Sequence, residues 1–147
     1  MEATISQRVS RIIEAHRRSA DAVEFERAVD RDRRLARENV LRELPKLDGL
    51  VSRTIAELND TLSEGSIRLI LEITGHQPTA EATYALKIAN AASDAPSLSL
   101  SVDWTGAARA MLHEGPRRSL LATYTVFEVD KARISDLGLK LLEAYYL

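Results

Sequence analysis

With 147 residues, 45% of them hydrophobic and 29% charged, the chain can bury a core of ordinary single-domain size. Its 20 basic and 22 acidic side chains leave a formal net charge of -2, which argues against a nucleic-acid-coating protein and against electrostatic docking on a membrane. The lack of cysteine excludes disulfide scaffolds, thiolate metal sites and cysteine nucleophiles.

The opening residues, Met1 to Arg8, lack the apolar stretch of a signal peptide. No apolar run approaches the roughly 20 residues that cross a bilayer. A cytoplasmic location away from membranes is the expectation.

Helical spacing dominates residues 1–64. Ile5, Val9, Ile12, His16, Ala20 and Val23 recur at steps of three and four, one face of an α-helix. A second series, Leu44, Leu47, Val51, Ile55, Leu58 and Leu62, is nearly a heptad seam of the coiled-coil kind. Between them lies a dense mixture of arginines and acids whose i,i+4 partners, such as Asp30 with Arg34, support a solvated helix at about 0.2–0.5 kcal/mol each. A single helix over residues 3–44 would measure about 63 Å. A domain of this size is only about 40 Å across. The expectation is therefore a break near Arg18–Asp21 or Asp30–Arg34, with Asp21 and Glu24 as a capping box, or one long helix that reaches toward another chain.

Past Gly65 the period changes to two. Strands are expected around 67–73, 83–89, 97–104, 107–113 and 118–128, separated by turns at Gly75–Pro78, Ser93–Pro96, Thr105–Gly106 and Gly115–Pro116. The third alternates most cleanly, with Leu98, Leu100, Val102 and Trp104 on one face and Ser97, Ser99, Ser101 and Asp103 on the other. Asp130 then reads as the N-cap of a last helix carrying Ile134, Leu137, Leu141, Leu142 and Tyr145 on one side. The fold class is α+β: a helical region at 1–64, long or broken, then a five-stranded antiparallel meander with a C-terminal helix packed on it at 65–147, all one folded unit.

Chemistry-bearing motifs are sparse. There is no HExxH, no GxSxG elbow and no phosphate-cradling glycine loop, so no catalytic residue, metal ligand or cofactor is assigned. His16 lies in the first apolar seam, His76 in a turn and His113 at a strand end; a site built from His76, His113 and a carboxylate is the weak metal or catalytic alternative. Glu72 and Asp103 read as solubilising groups more readily than as an acid–base pair, and Arg117–Arg118 as a solvated turn. The serine stripe is either the wet side of a half-buried sheet or a docking face. Tyr145, Tyr146 and Leu147 are expected to close the core.

The preferred reading is a non-enzymatic protein–protein interaction module, such as an assembly adaptor, chaperone or regulator. Its N-terminal helices would serve self-association or partner binding through Ile5, Val9, Ile12, Leu47, Val51, Ile55, Leu58 and Leu62. The alternative is a small-molecule-binding domain or small enzyme, with a pocket between sheet and C-terminal helix lined by Tyr84, Trp104, Met111 and Tyr124. Nucleic acid is disfavoured because the basic residues of the helix are matched by acids one turn away.

Overall fold

The computed structural model describes residues 4–76 and 80–147, with His76 described by its backbone alone. Helix α1 (Ile5–Leu62) is followed by a 3-10 turn (Ser63–Gly65). Five strands come next, β1 (Leu69–His76), β2 (Glu81–Ile88), β3 (Ser97–Val102), β4 (Ala107–Glu114) and β5 (Arg117–Thr125), and helix α2 (Lys131–Tyr146) closes the chain. The architecture is α+β. No helix among the described residues is long and apolar enough to cross a membrane.

Neither expected break occurs in α1, which is one helix of 58 residues. The capping box that forms is at its start, not at Asp21. Thr4 N–H donates to Gln7 Oε1 (3.0 Å) and Gln7 N–H to Thr4 Oγ1 (3.2 Å), satisfying two amides that the first turn would otherwise orphan. Pro45 sits inside the helix, where its missing N–H costs about 3 kcal/mol. Leu44 and Leu47 are buried on either side of it, and that burial offsets the loss.

Contacts divide the chain into two units, Met1–Leu35 and Ala36–Leu147. In the second unit the strands pair in the order β1-β2-β3-β4-β5, every neighbour antiparallel. The register aligns Leu71, Leu86, Leu98 and Leu112 across one face, and Ile73, Tyr84, Leu100 and Ala110 across the next row. Val40, Leu44, Leu47, Val51 and Ile55 of α1 cover this face together with Ile134, Leu137, Leu141 and Leu142 of α2, forming a single core. The cover is thus made by two helices, where the sequence reading supplied only α2.

The two covering helices approach closely because α2 carries a glycine there. A Cβ built on Gly138 would stand 2.9 Å from Leu58 Cδ2 and 3.3 Å from Leu69 Cδ1. Asn59 on α1 holds the first residue of β1, accepting from Leu69 N–H (2.8 Å) and donating to the Leu69 carbonyl (3.0 Å). Asp130 is the N-cap expected of it, accepting from Arg133 N–H at 2.9 Å.

Boundaries differ from the sequence expectation in places. Gly75 and His76 belong to β1, paired with Ala82 and Glu81, and the rest of that expected turn lies outside the described residues. Trp104 is in the β3–β4 turn and not on β3. Asp103 takes over that turn: its carboxylate accepts from Thr105 N–H (2.9 Å), Thr105 hydroxyl and Ala107 N–H (3.2 Å), while Gly106 supplies a φ of +87°. In β5 Leu121 is an extra residue between the pairs Ala110–Ala122 and Met111–Leu120, a β-bulge.

Candidate partner-binding surface

The eight seam residues separate into two environments. Leu47, Val51 and Ile55 are buried in the core of the second unit, and Leu58 and Leu62 pack against it half-buried. Those five apolar positions cover the chain's own sheet. In the first unit the opposite holds. Ile5 is 80% exposed, Ile12 70% and Val9 48%, and Val29 is the one side chain from Thr4 to Leu35 that is even partly covered.

Four further large apolar side chains share this exposure: Ile13, Val23, Phe25 (70%) and Leu35. Ile13 adjoins the stripe and widens it, a signal readable from its position beside Ile12. Phe25 and Leu35 fall off the three-and-four spacing and were not found by it. A helix gains most of its stability by burying an amphipathic face, so so much bare apolar surface is costly for a helix without a cover. The Glu14–Arg18 ion pair (2.7 Å), both partners exposed, adds only a few tenths of a kcal/mol. Around the small side chains Ser19 and Ala20 the helix surface is open, flanked by the exposed side chains of His16, Val23, Glu24, Arg27 and Arg31.

The residues proposed to line a ligand pocket are not brought together. Tyr84 is buried on the inner face and Tyr124 half-buried on the same side. Met111 alternates to the outer face, and Trp104 stands in the β3–β4 turn with the Arg37 guanidinium 5.9 Å from its ring centre. The space between sheet and α2 amounts to about 10 Å³, walled by Val51, Tyr84, Leu86, Leu98, Leu100, Ile134 and Leu137. That is the size of one water molecule at most. Tyr84 has a structural partner instead: its hydroxyl donates to Asp48 Oδ1 at 2.5 Å. Burial first, then the hydrogen bond and the charge of Asp48, push its ionisation far above the ordinary 10.0.

The remaining candidates are scattered. His16 is exposed on α1, the side chain of His76 lies outside the described residues, and His113 is half-buried on the outer face with Nε2 2.9 Å from Ser99 Oγ. This Ser–His contact lacks, among the described residues, a third group to orient the imidazole for catalysis. Glu72 faces Ala85 in mid-strand while Asp103 is engaged in its turn, so the two form no acid–base pair. Among the described residues no group of three His, Asp or Glu side chains could hold a metal ion. Arg117 and Arg118 are exposed beside the Gly115–Pro116 hairpin.

The C-terminal cluster corrects an expectation. Tyr145, Tyr146 and Leu147 are exposed, because the inward stripe of α2 ends at Leu142. The two tyrosine rings meet edge-on at 4.8 Å. No family model, no curated protein and no solved structure matches this chain.

Proposed function

We propose that the chain is a non-enzymatic protein–protein interaction module whose first unit supplies the binding surface, in the manner of an assembly adaptor, chaperone or regulator. One observation carries this reading: the apolar stripe Ile5, Val9, Ile12, with Ile13 beside it, recurs at coiled-coil spacing and is left bare. The five seam residues from Leu47 to Leu62 are taken up by the core of the second unit. The small void under the sheet gives no support to a small-molecule pocket.

The test is the joint substitution Val9→Asp and Ile12→Asp in the whole chain. Both residues are exposed, so the second unit should keep its unfolding midpoint. Mass by light scattering should fall, and any protein captured by the wild-type chain should be lost. A variant with unchanged mass and unchanged captured partners overturns the reading.

A further inference from the structure

Resting on that reading, we infer that the occupant of the bare stripe is a different protein, one that presents an apolar face bordered on both sides by carboxylates. The observation is where charge stands around Ile5, Val9, Ile12 and Ile13. Residues three or four apart on a helix are neighbours on its surface. Arg8 is therefore beside Ile5 and Ile12 on one border of the stripe, and Arg17 is beside Ile13 and Ala20 on the other. Residues 4–18 hold four arginines and one acid, a net +3, and that acid, Glu14, is engaged by Arg18 at 2.7 Å. The first carboxylates on the two borders are Glu24 and Glu26, past the cluster. A surface complementary to the cluster is apolar in the middle and acidic at both margins.

A second copy fits less well. Residues 19–35 hold five acids and four arginines, a net -1, because Arg27, Arg31, Arg33 and Arg34 offset most of the carboxylates. The helix therefore has no negative stretch to match its own +3. Laying residues 4–18 of one copy on those of another sets arginine against arginine in either direction. An anionic bilayer fits less well too. Three, four, seven and eleven residues past Val23 the same face carries Glu26, Arg27, Asp30 and Arg34. A flat headgroup layer along the helix would meet those carboxylates as well as the arginines. A protein surface can end with the cluster, which from Ile5 to Arg17 spans about 18 Å.

The probes are two synthetic amphipathic helices of equal length with leucine at every core position, one bordered by glutamate and the other by lysine. With the full chain at about 50 mM salt, the glutamate helix should bind tighter than the lysine helix by about tenfold. Arg8→Glu with Arg17→Glu should reverse that order, and Val9→Asp with Ile12→Asp should abolish binding of both. All four positions are exposed, so the second unit should keep its unfolding midpoint in each variant.

A lysine helix bound equally well or better, an order unmoved by the reversal, or no binding of either helix overturns the acidic border. Proteins captured by the wild type and lost from the Val9 and Ile12 variant would then still uphold the stripe as a binding surface. Cosedimentation with phosphatidylserine vesicles, or a dimer at sedimentation equilibrium, either one lost on those two substitutions, overturns a different protein as the occupant. Probe binding that survives the two substitutions overturns the reading of the stripe itself.

Discussion

Tyr84 and Asp48 hold the second unit together by a hydrogen bond between a buried hydroxyl and a carboxylate on α1. Because burial, and then Asp48, raise the folded-state ionisation above the unfolded value of 10.0, the neutral phenol is favoured by the fold. Its contribution is complete below pH 10 and drains away as pH climbs toward the folded value. Stability should therefore fall in alkali, and Tyr84→Phe should flatten that fall while costing about 1.5–3 kcal/mol near neutrality. Denaturant midpoints across pH 7–12 for both proteins check this, and superimposable alkaline limbs would refute it. Asp103 behaves in the other sense. Burial pushes its carboxyl up, but the Thr105 hydroxyl, the amides of Ala107 and Thr105 and the charge of Arg109 together outweigh that and hold it below the usual carboxylate range. Its support of the turn is present above that range and lost in acid. Gly75 is the glycine least open to change, since at φ +106° an added Cβ would stand 2.2 Å from the Glu81 carbonyl oxygen. Gly75→Ala should lower stability by roughly 1–3 kcal/mol. Equilibrium unfolding measures it, and an unchanged midpoint would mean that the β1–β2 pair relaxes freely around the methyl.

Among the elements, α2 supplies a large share of the core. Ile134, Leu137, Leu141 and Leu142 are all buried against the sheet and α1, and each large side chain contributes about 1.5–3 kcal/mol. Their sum rivals the 5–15 kcal/mol that stabilises a whole domain. A chain ending at Asp130 should lose its cooperative thermal transition or precipitate; a soluble truncation melting like the wild type would contradict the packing. The elements were largely legible from the sequence because their inward positions are uniformly apolar. Leu98, Leu100 and Val102 alternate with three serines, and Asp130 precedes a clear apolar stripe. What covers what was less legible. The Leu44–Leu62 spacing suits a partner helix and the chain's own sheet equally, since both demand an apolar face every three or four residues. Met111 misled by size, because β4 turns its small Ala108 and Ala110 inward and its larger methionine outward. The uninterrupted run of α1 was hidden by its charges, which remove the apolar stripe between Val29 and Leu35 without removing the helix. Of the candidate surface, Ile5, Val9 and Ile12 were read correctly as one helical face, but only the burial of Leu47, Val51 and Ile55 divides the seam into spent and bare halves.

At the scale of the whole molecule, a net charge of only -2 offers little repulsion between copies, so the chain relies on other means to restrict which surfaces meet. The second unit has an open-ended sheet, and its first strand begins Leu69, Ile70, Leu71, Glu72, Ile73, a composition suited to adding a foreign strand. Asn59 acts there like a piece of false strand: its carboxamide engages both the N–H and the carbonyl of Leu69. A single side chain on a helix thus occupies backbone groups from which an invading strand could begin to zip. Asn59→Ala should leave the fold in place yet shorten the lag before thioflavin-positive aggregates appear on prolonged agitation, and an unaltered lag would show that the edge is protected by other means.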